Sequence, residues 1–279
     1  MLKKLSFAAF GLAFSASASA VFIPPPGPLV INFNNSEQIS PTNSIVAPSG
    51  ASEGNWGVAK VNTIYLGLTP IPANQLFGTT GSPVFSDSNS GQITAMFYGV
   101  QTVAPGCAGC LDAAGGSLEL WWENPSAGGT FADLGTAVPG DRTGDNAFTN
   151  FTDGTFLAKI DFASGIDPAN SGIDIRGTVV PSSSGFLGTA DSFGNVDVAA
   201  GGAWADLLNQ DFFNTPFGTR DVRFRNVYND QVSWDGGQDV FGATSSDPAR
   251  AYVPEPGSIF LVALGLLGMG LVRRRVTQQ

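Results

Sequence analysis

Between residues 21 and 253 the apolar positions fall in short runs rich in β-branched and aromatic residues, broken by Gly, Asn, Asp, Ser and Pro. That punctuation predicts strands joined by tight turns rather than helices. The runs place strands at 29–34, 57–68, 91–103, 117–123, 155–163, 172–180, 195–199 and 221–228. Alternation is clearest where Phe156, Ala158, Ile160 and Phe162 share one face against Leu157, Lys159 and Asp161. A second instance sets Val222, Phe224 and Asn226 against Arg223 and Arg225. Asp153-Gly154 and Asp235-Gly236 are turn dipeptides. One short helix fits 202–209, where Trp204, Leu207 and Leu208 fall on a common face. Pro24-Pro25-Pro26-Gly27-Pro28 reads as a stiff, extended leader. No fixed-period repeat is present. The expectation is a mainly β chain with one β-sandwich or jelly-roll-like domain over 21–252.

The two ends break this pattern. Residues 1–20 carry Lys3 and Lys4, an apolar stretch and the small-residue sequence Ala18-Ser19-Ala20, which is the order of a secretory signal peptide cut after Ala20. At the other end Val253-Pro254-Glu255-Pro256-Gly257 precedes the uncharged run 258–272, and Arg273, Arg274 and Arg275 follow. The prolines hold an extended segment. As a helix the run spans about 23 Å, short for a bilayer core but insertable with local thinning. The arginines act as a basic stop-transfer signal that resists translocation. A transmembrane helix at 258–272 is therefore expected, entering through the Sec translocon.

This order of parts over 253–275 resembles the PEP-CTERM sorting signal of Gram-negative bacteria that secrete exopolysaccharide. The resemblance implies recognition by exosortase, a membrane protease-transpeptidase that acts near the Pro-Glu-Pro. The protein would be anchored in the inner membrane before processing and would then reach the cell surface or medium. Phrases such as Ala95-Met96-Phe97-Tyr98-Gly99-Val100 also resemble a recurrent PEP-CTERM ectodomain type, which carries no enzymology to transfer. Some PEP-CTERM proteins take part in flocculation and biofilm matrix, so the resemblance implies a place in a biofilm, floc or exopolysaccharide matrix.

Charge and composition narrow the chemistry. Outside the two targeting segments there are eight basic residues against 22 acidic ones, a balance that repels nucleic acid. The chain has no histidine, which removes the usual general base and the usual zinc ligand. Its two cysteines, Cys107 and Cys110, are expected to pair in an exported protein. Asp141, Asp145 and Asp153, set among glycines and asparagines, are candidate calcium ligands, although such residues serve more often as turn formers. No other cofactor is expected. Glu119 and Glu123 flank Trp121-Trp122, where a catalytic acid beside a sugar-stacking ring would be recognised. Trp121 and Trp122 point to opposite faces of a strand, so at least one belongs to the core. Glu37 and Glu53 fall in what reads as an early loop. Arg220, Arg223 and Arg225 form the one basic cluster of the body, suited to an acidic polysaccharide or to neighbouring aspartates. The reading is an exported protein with a structural or interaction role and no catalysis. The alternative is a carbohydrate-binding or carbohydrate-hydrolysing protein, recognisable by two inward carboxylates in one cleft.

Overall fold

The computed structural model describes residues 21–71, 75–87, 91–124, 131–182 and 185–255. The expected signal peptide, the span 258–272 and Pro256, Gly257 and Arg273 to Arg275 lie outside the described residues. Among the described residues no helix is long and apolar enough to cross a membrane.

The first half of the chain forms β1 (Gly27–Ile39), β2 (Ile45–Val46), β3 (Ser52–Glu53), β4 (Asn55–Gly67), β5 (Thr79–Ser86), β6 (Gln92–Val103), β7 (Cys110–Ala114) and β8 (Ser117–Glu123). The second half forms β9 (Arg142–Gly144), β10 (Ala147–Phe148), β11 (Thr155–Ala163), β12 (Ile175–Ser182) and β13 (Gly185–Val196). The one α-helix among the described residues, α1 (Ala205–Leu208), follows, and then β14 (Phe213–Thr215), β15 (Gly218–Arg220), β16 (Val222–Asp230) and β17 (Phe241–Val253). The fold is mainly β, and the expected helix at 202–209 shrinks to α1.

A sandwich needs two facing sheets, and among the described residues one large sheet stands beside three two-stranded ribbons. Eleven strands run in the order β11-β8-β6-β7-β12-β13-β16-β17-β1-β4-β5, and β11 pairs with β13 and β4 with β6 as well. These two extra pairings join the sheet to itself as a closed antiparallel barrel, which corrects the sandwich expectation and leaves β5, paired with β4 alone, as an edge strand. The closure depends on a kinked hairpin. β7 and β8 share one register along β6, with Ala114 opposite Gln101 and Ser117 opposite Tyr98. They are one long strand interrupted at Gly115-Gly116, whose φ angles are 65° and 85°, across from Gly99 at 73°. A Cβ on Gly116 would sit 2.5 Å from Val100 Cγ2 and 2.9 Å from the Tyr98 carbonyl. Only glycine tolerates both that backbone and that contact. Below the kink the strand pairs with β11 and above it with β12, and β13 receives both.

Alternation sends one set of side chains into the barrel and the other outward. Leu29, Ile31, Phe33, Val61, Ile93, Leu120, Leu157, Val222 and Ala251 belong to the inner core. One end is plugged by α1 and Trp204, whose indole N–H donates to the Phe22 carbonyl at 2.7 Å. The Phe22 ring lies 5.1 Å from Phe85 and 6.2 Å from Trp204. Val253 pairs with Gly27 at this same end. Outside β4, β6 and β8 a second core gathers Trp56, Val58, Met96 and Trp121 under Phe148, Phe151 and Trp234. Those strands are thus buried on both faces, which is why they read as nearly continuous apolar runs.

Candidate functional site

Halfway along β1 the inward positions change character. Leu29, Ile31 and Phe33 are followed by Asn35 and Glu37, which are 1% and 0% exposed. On the neighbouring β17 the inward series Ala251, Ala249 gives way to Asp247 and Ser245, also buried. Because β1 and β17 are antiparallel partners, both changes occur at one level of the barrel. Asn35 Nδ2 donates to Glu37 Oε1 at 3.1 Å and to Asp247 Oδ2 at 2.8 Å, so one amide bridges two carboxyls. Asn55 Nδ2 donates to Glu37 Oε2 at 2.7 Å. Ser245 gives its hydroxyl to Asp247 Oδ1 and its backbone N–H to Asn35 Oδ1. Asp247 also accepts the Val227 N–H. That bond replaces a ladder contact where the β16–β17 pairing is interrupted around Pro248.

Above this cluster the barrel is open. The cavity measures about 820 Å³ with its mouth included, and it is lined by side chains from every strand position around the ring, among them Phe33, Phe97, Leu118, Phe162, Phe224 and Tyr228. Asn35, Asn55, Asn226 and Asp247 form its polar wall.

Burial, and then the charge of Asp247, push the Glu37 carboxyl up to about 8. Burial pushes Asp247 up to about 7 against the hydrogen bonds it accepts. The Tyr228 phenol is held well above its ordinary range by burial and then by these two acids. Near neutral pH both carboxyls therefore hold their protons far more firmly than free ones do.

The residues singled out from the sequence lie elsewhere. Cys107 and Cys110 are bonded at the tip of the β6–β7 hairpin, with Cα atoms 5.3 Å apart. That tip is braced by Asp112, which accepts the Gly106 N–H at 2.7 Å and two bonds from Arg176 at 3.0 Å. Closing so small a loop stabilises by no more than about 2 kcal/mol. The C107S/C110S double variant is therefore expected to melt only a few degrees lower. Thiol labelling of the unreduced protein is expected to find no free cysteine, and full labelling without reductant would reject the bond.

The calcium candidates are not gathered. Asp141 accepts the Val138 N–H at 3.1 Å and Asp145 the Ser49 N–H at 2.9 Å, while Asp153 interacts with Glu123. Among the described residues no group of three or more acids or cysteines is placed to hold a metal ion. Trp121 and Trp122 are 6% and 7% exposed, one in each core, so neither offers a face for stacking a sugar. Glu119 accepts the Tyr98 hydroxyl. Glu53, read as a loop residue, forms a buried bidentate pair with Arg142 at 2.6 and 3.1 Å. Arg220 donates to the carbonyls of Ser164, Phe217 and Thr219, and Arg223 and Arg225 both reach Asp191.

Of the sorting motif, Val253 is the last residue of β17, and Pro254 and the exposed Glu255 leave the sheet. Neither curated proteins nor solved structures give a match to this chain. Residues 253–275 match the family model described as the PEP-CTERM protein-sorting motif. The chain thus ends its barrel directly in a PEP-CTERM sorting motif, the mark of an exosortase substrate exported and sorted to the cell surface.

Proposed function

We propose that the barrel is a non-catalytic interaction module of the extracellular matrix, exported through the Sec translocon and delivered by its tail, with exopolysaccharide as the matrix partner. The observation that carries the delivery half is the run of β17 into the motif: the sheet stops at Val253 and the matched segment starts there. The non-catalytic half is supported by how the inward acids are used. Both Glu37 oxygens accept amide hydrogens, the group is fully buried, and Asp247 is held by Asn35, Ser245 and the Val227 N–H.

Fractionation of cells and medium followed by intact-mass measurement tests this reading. The mature surface form is expected to begin near Val21 and end near the Pro-Glu-Pro. A surface form that still contains Gln279 would overturn exosortase processing. The hydrolase alternative draws on the same two inward carboxyls. Release of reducing sugar from the producer's own polysaccharide, lost in Asp247→Asn, would put that alternative in place of the non-catalytic reading.

A further inference from the structure

We propose that the open end of the barrel binds a small organic cation, an ammonium group carried on a short apolar or aromatic body, with Asp247 supplying the counter-charge. This goes beyond the sorting reading and is independent of it.

The first argument is a missing partner. The groups that act on Glu37 and Asp247 are each other, the amides of Asn35 and Asn55, the Ser245 hydroxyl and the Val227 N–H. From β16 the facing groups are Tyr228 and Asn226, and β4 contributes Asn55. Among the described residues the one other titratable side chain facing the pair is therefore a phenol, and no lysine or arginine contributes. The basic residues of these strands point out of the barrel and are engaged there. Lys60 pairs with Asp87, Arg223 and Arg225 with Asp191, and Arg250 donates to the carbonyls of Leu68 and Leu76. Buried carboxylates are ordinarily paired with a cation or hold a proton. None of the described residues supplies a cation, and the cavity beside Asp247 leaves room for one from outside.

The walls select its type. Four phenylalanines and Tyr228 surround the space, and aromatic rings attract organic cations while their apolar surface favours a hydrocarbon body. A hard metal ion is disfavoured, because calcium takes six to eight oxygens and this wall offers one accessible carboxylate among amides. A space ringed on all sides by barrel strands favours a small ammonium over a polymer.

Calorimetric titration of the full chain in non-ionic detergent with 2-phenylethylammonium, 2-phenylethanol and phenylacetate tests the proposal. The amine is expected to bind at pH 8 at least tenfold more tightly than the alcohol, and the acid not measurably. Since protonation of the pair competes with the cation, affinity for the amine is expected to fall about tenfold between pH 8 and pH 6. Asp247→Asn should abolish amine binding. If that variant does not fold, the charge series and the pH dependence of the wild-type chain decide alone. Equal binding of alcohol and amine, affinity independent of pH, or no amine binding at 10 mM would each overturn the proposal.

Discussion

Raising the pH from 5 to 9 is expected to lower the thermal midpoint of the barrel by on the order of 10 °C, and Glu37→Gln is expected to remove much of that drop. A carboxyl whose pKa is raised on folding binds its proton more tightly in the native state. Stability is then complete below the unfolded value and is lost as pH climbs through the folded one. Glu37 goes from 4.5 to about 8 and Asp247 from 3.8 to about 7, so the loss runs from about pH 4 to about pH 8. Each unit corresponds to about 1.4 kcal/mol. Allowing for their coupling, the pair costs the fold several kcal/mol at alkaline pH, and a domain of this size shifts by about 2–4 °C per kcal/mol. Glu123, raised to about 7 by burial and then by Asp153, adds a smaller effect in the same direction. Asp145, Asp167 and Asp197 are lowered instead, so their contribution is lost only below about pH 4, outside this window. A midpoint that stays flat from pH 5 to 9, or a slope that Glu37→Gln leaves intact, would refute the assignment of these two acids.

Replacing Arg273, Arg274 and Arg275 together with neutral residues is expected to abolish sorting while leaving the melt of the barrel unchanged. The run 258–272 is short for a bilayer, so its orientation depends on the charges after it. Each charge costs roughly 2.5–3.5 kcal/mol at mid-bilayer on insertion scales, and three form a substantial barrier to passage. Without them the tail should slip through, and unprocessed protein should appear in the periplasm or medium. The matched motif extends to residue 275 and so includes all three arginines. Normal processing and surface delivery of the triple variant would show that the signal is read without them.

Much of the barrel was legible where strands are apolar on both faces, as in β4, β6 and β8. β11 was found as a strand, but a bulge between Phe156 and Ala158 turns Leu157 into the barrel and Phe156 onto the outer core, against the alternation read from the sequence. β17 was not, because Phe241–Val253 contains Pro248 and a series of small residues. It is a strand because Pro248 sits at the interruption in its pairing with β16, while Ala249 and Ala251 fill the barrel with little bulk. β13 was missed beyond its last two residues because Gly185, Gly188 and Gly194 punctuate it like a loop. β1 was cut short at residue 34, since Asn35, Ser36, Glu37 and Gln38 read as a polar turn. Their burial follows from ring closure, and so does the approach of Asn35 to Asp247, 212 residues away. Local pattern does not encode such a meeting. The resemblance of the tail was legible because its parts are contiguous. The kink at Gly99, Gly115 and Gly116 carried a signal in the Gly-Gly pair, but what it bends became apparent only once β7 and β8 were seen to share a register.

The junction of Gly27 with Val253 at the plugged end gives the molecule a polarity with respect to its tether. Whatever grips the tail grips that end, and a strand of thirteen residues, such as β17, rises about 40 Å at 3.3 Å per residue before tilt is counted. The cavity and the Cys107–Cys110 tip are therefore held at the far pole, facing the surrounding medium. A solute reaches Asp247 from outside without crossing the lipid or the attachment point. Cutting or transferring the chain after Val253 leaves that approach untouched, so the processed and unprocessed forms present the same mouth to the same surroundings.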